Sequence, residues 1–193
     1  MITTVLHKHN IDYRLINKEN NLITILIHKY DFESIHIIMN ENGFVVTEHR
    51  WAINRGYIYR YGAHEPILYI RDNICIEYIT ELLCLSLTPF NVIPLDNKIQ
   101  KWAWANVKLE KDEMWVDDRI VLIEVLIRSI FENKKLKSSD LKIIKKHSNL
   151  INDNYMREMC ELIFFNFTEE LVKMICTEEL DDIYNRYVGF CDY

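Results

Sequence analysis

The amino-acid sequence predicts an α+β fold, in which an N-terminal antiparallel β-meander is covered by a helix and a C-terminal helical bundle packs beside it. Three observations predict this class. Apolar residues alternate with polar ones over short segments of the first 72 residues, with turn sequences between the segments. After that point the apolar residues recur at three-to-four spacing, as they do in helices. Gly (4) and Pro (3) are scarce, so we expect no long flexible linker.

Three consecutive hairpins are predicted in the strand-rich part. The first joins "YRLI" and "LITILIH" through "NKENN"; the second joins "SIHIIM" and "FVVTEH" through "NENG", whose Asn-Gly pair suits a tight turn. The third joins "GYIYRY" and "ILYIR" through "GAHEP". The next segment, "NICIEYITELLCLSL", carries a wide apolar stripe at helical spacing. We therefore expect a helix that covers the sheet and that ends at the prolines of "TPFNVIP".

The remainder of the chain predicts helices. "DDRIVLIEVLIRSIFENKK" is apolar nearly all round, which is typical of a buried helix. The predicted bundle is completed by "SSDLKIIKKHSNL", "NYMREMCELIFFNF", "TEELVKMI" and "EELDDIYNRYV". The sequence thus divides into residues 1–90, the sheet with its covering helix, and residues 91–193, a mainly helical half, packed as one globular unit.

Known catalytic and metal-binding motifs are missing from the sequence. It contains no Gly-rich phosphate loop, no G-x-S-x-G and no H-E-x-x-H, and its five cysteines form no CxxC. We therefore predict no catalytic residue, no cofactor and no metal site. The first ten residues do not resemble a secretory signal, and the apolar segments carry charges such as Glu77 and Glu124 and are too short to span a bilayer. We expect a cytoplasmic protein without a membrane partner.

The charge is unevenly distributed along the chain. The net charge is −6, and residues 151–193 hold ten acidic and three basic residues, a balance of −7. An acidic surface repels nucleic acid and attracts a basic partner. Nucleic acid is therefore an unlikely ligand, although the arginines and aromatic residues of "HRWAINRGYIYRY" could stack on bases.

The segment "QKWAWANVKLEKDEMWVDDR", residues 100–119, holds three of the four tryptophans. Its alternation favours an extended segment with Trp102 and Trp104 on one face, and Trp115 precedes the predicted buried helix. Two interpretations stay open: the indoles fill the seam between the halves, or they form a recognition patch with an acidic rim. For the second interpretation the predicted partner-binding residues are Trp102, Trp104, Trp115, Glu110, Asp112, Glu113, Asp117 and Asp118.

The segment "GYIYRYGAHEPILYIRDNICIEYITELL" pairs two aromatic strands with an acidic helix. In this respect, and as a short, acidic α+β chain, the sequence resembles bacterial polymorphic-toxin and contact-dependent-inhibition immunity proteins over about residues 40–88. The resemblance implies an inhibitor that covers a cognate toxin; if that toxin is a basic nuclease domain, acidic residues speed the encounter. The same profile fits a phage-type anti-defence protein. A metal-dependent nucleic-acid enzyme using Asp117 and Asp118 is the remaining alternative.

Overall fold

The computed structural model describes residues 2–19, 21–52, 55–86 and 90–191, which form a mixed α+β structure, as the sequence predicts. The helices are α1 (Ile2–Lys8), α2 (Phe32–Glu41), α3 (Asn97–Ala105), α4 (Asp118–Ile127), α5 (Ser138–His147), α6 (Asn154–Phe164), α7 (Thr168–Thr177) and α8 (Ile183–Cys191). The strands are β1 (Tyr13–Glu19), β2 (Leu22–Ile27), β3 (Val45–Thr47), β4 (Ile58–Tyr59), β5 (Ile67–Arg71), β6 (Ile74–Ile79), β7 (Leu83–Leu85), β8 (Asn91–Pro94), β9 (Val107–Glu110) and β10 (Glu113–Val116). A π-helical turn, Arg128–Glu132, extends α4.

The described strands form two sheets. The larger has seven strands in the order β3-β5-β6-β2-β1-β10-β9, and the smaller has three in the order β4-β8-β7. The larger sheet is mixed: β2 pairs in parallel with β6 and β1 pairs in parallel with β10, whereas the other neighbours are antiparallel. Strands from both sides of residue 90 therefore belong to one sheet.

Side chains of the central strands alternate between two apolar cores. Tyr13, Leu15 and Ile25 point to one face, where they pack against α1 and α2. Ile16 and Leu26 point to the other face, where they pack with the helices of the C-terminal part. The seven-stranded sheet is thus the middle layer of three, because strand side chains point alternately to its two faces.

The first predicted hairpin is confirmed, since β1 and β2 pair antiparallel. The second prediction is wrong, because "SIHIIM" lies inside helix α2. Ile35, Ile38 and Met39 are its buried side chains, at the spacing of one helical face. The Asn-Gly pair does not make a hairpin; it ends the helix, with Gly43 at φ +74°.

The third predicted hairpin and the covering helix are also wrong. Strand β4 pairs with β8 in the smaller sheet, and β5 pairs with β6, which begins inside the predicted helix. Asp72, at φ +54°, lies in the turn between β5 and β6. Because β6 is covered on both faces, its apolar residues do not show the simple alternation of a half-exposed strand. That double covering produced the helix-like pattern.

The extended conformation predicted for Trp102 and Trp104 is wrong, because both lie in helix α3. Asp96 caps the N-terminus of this helix by accepting a hydrogen bond from the amide of Lys98. Only the following "VKLE" is extended, as β9. The helical character predicted for the later segments is confirmed by α4 to α8. Asn20 of the first predicted turn and residues 87–89 at the predicted helix end lie outside the described residues. No helix in the described part of the chain has the length and hydrophobicity needed to cross a bilayer.

Candidate functional site

A cleft of about 420 Å³ lies between the seven-stranded sheet and the helical layer; we call it the polar cleft. Strands β1, β2 and β6 form one wall, and α4, its π-helical turn and the start of α5 form the other. Its polar lining comprises Asn17, Thr24, Arg50, Glu77, Glu124, Arg128, Glu132, Lys137, Ser139 and Asp140. Its apolar lining includes Ile16, Leu22, Ile79, Val121, Val125 and Ile143.

Glu77 is placed in the cleft by the strand alternation of β6. Its neighbours Ile76 and Tyr78 point into the opposite core, so Glu77 points towards α4. The parallel register sets it beside Thr24 of β2. The Thr24 hydroxyl donates to Glu77 Oε2 at 2.8 Å.

His49 supplies the second hydrogen bond to Glu77. The imidazole is buried, and its Nε2 lies 2.6 Å from Glu77 Oε1. The amide of Trp51 donates to Nδ1 at 3.2 Å, so Nδ1 acts as an acceptor and Nε2 as the donor to Glu77. Burial by itself raises the pKa of Glu77, but the interactions with His49, the hydrogen bond from Thr24 and the attraction of Arg50 together hold that pKa below its ordinary value. Glu77 is therefore an ionised carboxylate at neutral pH.

Glu124 lies on the opposite wall. Val121, Glu124, Val125 and Arg128 follow the three-to-four spacing of one helical face, and all four line the cleft. Oε1 of Glu124 is shielded from solvent and has no hydrogen-bond partner among the described residues. The side chain as a whole is half-buried and lines the cleft, so part of it is exposed to the cavity while Oε1 is not.

The environment of Glu124 favours its protonated form. Burial, followed by repulsion from Glu132, raises its pKa to about 8, against the weaker opposing effect of Arg128. Burial likewise raises the pKa of Glu132, against the attraction of Arg50 and Arg128. The cleft thus holds an ionised carboxylate, Glu77, across from a carboxylic acid that is mostly protonated near pH 7.

The two arginines of the cleft are already engaged by acidic partners. Arg50 donates to Glu132 at 2.8 Å, with its guanidinium 5.0 Å from the Trp51 ring centroid. Arg128 donates to the buried Asp140 at 2.7 Å. A ligand that used either arginine would have to compete with these ion pairs.

Fold and cleft together define an α+β protein with helices on both faces of a mixed sheet and a ligand-sized polar cavity between two layers. Comparison with known proteins adds no relative: no family model matches the chain, and no curated protein shows significant similarity to it. Within the described residues, no three His, Cys, Asp or Glu side chains are grouped so that they could hold a metal ion.

The predicted partner-binding tryptophans lie on two elements and in three environments. The Trp102 ring lies 4.5 Å from that of Tyr155 and packs on the helical core, with its Nε1 buried. Trp104 stacks on His28 with a centroid distance of 3.7 Å. Trp115, on β10, packs on the other core. All three are half-buried.

The predicted acidic rim is largely neutralised within the molecule. Glu113 is buried, where Thr3 and Lys18 each donate to it at 3.0 Å. The other ion pairs are Asp117 with Arg119, and Lys108 with both Asp118 and Glu110. Asp112 is exposed in the turn before β10. Asp117 also caps α4 by accepting from the Arg119 amide at 2.9 Å.

Sequence reasoning missed the cleft residues Glu77, Glu124 and Glu132. A signal for them was present, because single acids stand inside the apolar runs "ICIEYI" and "VLIEVLIRSIFE". An acid in an otherwise buried segment costs free energy unless something pairs with it. The convergence of the two runs on one cleft is a tertiary feature that neither run shows by itself.

Proposed function

We propose that the protein binds a small polar molecule in the polar cleft. The observation that carries the proposal is Glu124, whose side chain lines the cleft of about 420 Å³ and whose Oε1, shielded from solvent, has no hydrogen-bond partner in the described structure. A polar group held away from water without a hydrogen bond costs about 1–3 kcal/mol. A bound ligand that supplies the missing hydrogen bond offsets that cost.

The size and lining of the cleft support this function. Its volume falls in the range of about 300–1,000 Å³ that is typical of small-molecule sites. Apolar side chains such as Val121 and Ile143 alternate with the polar ones, so a ligand can bury an apolar body while its polar groups are recognised. The opposite protonation preferences of Glu77 and Glu124 are also a common property of functional sites.

Methyl NMR with a compound library tests the proposal. A ligand of the cleft shifts the methyl signals of Ile79, Val121 and Ile143, which line it, and leaves that of Ile93 on β8 unchanged. A Val121→Phe variant fills part of the cleft and weakens binding at least tenfold, whereas Glu179→Gln, an exposed substitution, has no effect. A library that produces methyl shifts only outside the cleft, or none at all, contradicts the proposal.

A second function, inhibition of a partner protein such as a toxin, is supported by an exposed aromatic stack. The rings of Tyr30, His28 and Trp104 stack in series, with centroid distances of 4.9 and 3.7 Å. Tyr30, at the end of the stack, is 78% exposed. Stacked aromatic residues at a surface are typical of protein-binding hot spots.

Co-expression with the product of the neighbouring reading frame tests this second function. If that product is toxic, the inhibitor proposal expects the wild-type protein to restore growth. Tyr30→Ala and Trp104→Ala are expected to lose that effect, while Tyr61→Ala, at an 88% exposed residue on another loop, keeps it. Full rescue by the Tyr30 and Trp104 variants would remove the stack from consideration.

A further inference from the structure

We propose that the ligand of the polar cleft carries an ammonium group on an apolar body, and that this group binds at Glu124 in place of a proton. The inference rests on the proposed function and names the chemical class of the ligand. The supporting geometry is that both arginines of the cleft already form ion pairs with acidic side chains, whereas Oε1 of Glu124 has no hydrogen-bond partner among the described residues.

The pairing of the charged groups around Glu124, rather than their number, favours a cationic ligand there over an anionic one. The acids around the cleft are Glu77, Glu132 and Asp140, and the cations are Arg50, Arg128 and Lys137. Because Arg50 and Arg128 are paired at 2.8 and 2.7 Å, an anion that bound either arginine would have to break an existing ion pair, which leaves the exposed Lys137 as its remaining cationic partner. An ammonium group needs no such exchange. It is attracted to the carboxylate that Glu124 forms when it loses its proton, and to Glu132 when that group is ionised.

The other elements around Glu124 do not supply this positive charge. The His49 imidazole is hydrogen-bonded to Glu77, and burial, with repulsion from Glu124 and Glu132, raises the pKa of the Cys84 thiol to about 12. An organic cation suits the site better than a bare metal ion, since no three ligating side chains among the described residues are grouped for one. The apolar lining accommodates the remainder of such a ligand.

The exchange is balanced in atoms and charge. The neutral carboxylic acid of Glu124 gives its proton to solvent, and the carboxylate that remains accepts hydrogen bonds from the ammonium group of the ligand. Because the pKa of Glu124 is about 8, most of the protein carries this proton at pH 7. Binding is therefore expected to release most of one proton at pH 7 and much less at pH 9.5.

Isothermal titration calorimetry with n-butylamine and 1-butanol tests the inference. The two probes have similar shapes, but only the amine is cationic at pH 7. Titrations in buffers of different ionisation enthalpy measure proton release. We expect the amine to bind at least tenfold more tightly than the alcohol and to release close to one proton. Glu124→Gln, which keeps the shape of the neutral acid, is expected to lose both the preference and the release, and Glu179→Gln to keep both.

The possible outcomes separate this inference from the proposed function. Equal binding of amine and alcohol in the cleft, or amine binding without proton release, overturns the cationic ligand and leaves the cleft as a binding site. Tighter binding of inorganic phosphate, lost in Lys137→Ala, also overturns it, as does binding of magnesium chloride alone with loss in Glu124→Gln. If no probe binds and the methyl screen finds no cleft ligand, both proposals fail. Circular dichroism of each variant shows whether a loss of binding is a loss of fold.

Discussion

Glu77 and Glu124 are the same chemical group on opposite walls of one cleft, yet the fold holds them in different protonation states. Glu77 receives two hydrogen bonds, from Thr24 and His49, which favour its ionised form. Glu124 receives none at Oε1 and faces a second acid, which favours its neutral form. The difference arises from hydrogen-bond donors and nearby charge, because both side chains are removed from bulk water.

Glu124→Gln is expected to change how stability depends on pH. The folded-state pKa of Glu124 is about 8, against 4.5 for the ordinary side chain, so folded wild-type protein holds a proton that the unfolded chain releases between these values. Wild-type stability therefore falls as pH rises from about 4.5 to 8, and the variant lacks this part of the fall. The variant should gain about 3–5 kcal/mol relative to wild type over that range. Urea denaturation at pH 5, 7 and 9 measures it.

Glu179→Gln is the matched control, because Glu179 is exposed. Its stability relative to wild type should stay constant over the same range. A constant difference for Glu124→Gln as well would mean that Glu124 is ionised in the folded protein.

Thr24→Val removes one donor to Glu77 without changing the side-chain volume much. We expect the free energy of unfolding at pH 7 to fall by about 1–3 kcal/mol, because a buried carboxylate loses a charge-assisted hydrogen bond. The folded-state pKa of Glu77 is lowered, so its hydrogen bonds stabilise the fold above about pH 4.5 and are lost as the pH falls through that pKa. The deficit should shrink below about pH 4. Thr47→Val on strand β3, examined by the same denaturation series, is expected to stay within about 0.5 kcal/mol of wild type.

Helix α4 serves both the fold and the cleft, because its two sides carry different residues. Ile120, Ile123 and Ile127 are buried in the core, whereas Glu124 and Arg128 line the cleft. Its start is fixed to α6 by a bidentate ion pair from Arg119 to Asp153, with distances of 3.1 and 3.0 Å.

Asp153 has two tasks that substitutions can separate. It caps α6 by accepting from the amides of Tyr155 and Met156, and it holds Arg119. Asp153→Asn keeps the cap and loses the ion pair, so it should cost less than Asp153→Ala, which loses both and should cost about 1–2 kcal/mol. Thermal unfolding followed by circular dichroism ranks the two. Equal losses would show that the cap contributes nothing measurable.

The elements differ in how far local sequence determines them. The β1–β2 hairpin and helices α4 to α8 were predicted, because one short segment contains their whole pattern. Strand β6 and helix α2 were assigned to the wrong class. Strand β6 carries apolar side chains on both faces, because helices cover both faces of the sheet. Helix α2 is only ten residues long, so the segment "SIHIIM" within it resembles the alternating pattern of a strand. The cleft depends on β6 meeting α4, so no local pattern could predict it.

In the whole molecule, the sheet centre is the best-protected region and its edges are the least protected. Strands β1, β2 and β6 have neighbours on both sides and helices on both faces, whereas β3 and β9 are edges. The edges also expose apolar side chains, with Val45 69% and Leu109 69% exposed.

Hydrogen exchange should follow this arrangement. Amides of β2 and β6 are expected to exchange only through global unfolding, while those of β3 and β9 exchange through smaller openings, at least tenfold faster. Mass spectrometry or NMR measures the rates at each amide. Equal amide exchange rates in all strands of the sheet would contradict a strand order that places β2 and β6 at its centre.

The parallel pairing of β1 with β10 has a consequence for synthesis on the ribosome. Leu15 of β1 lies opposite Trp115 of β10 in this ladder, so one edge of β1 has no partner strand until β10 has been translated. Until then the nascent chain presents an open strand edge, which is a site of mispairing between chains. A chaperone that holds unfolded chains is expected to bind the nascent chain during this interval, and the last native contacts of the sheet should form only after the tryptophan segment has left the exit tunnel.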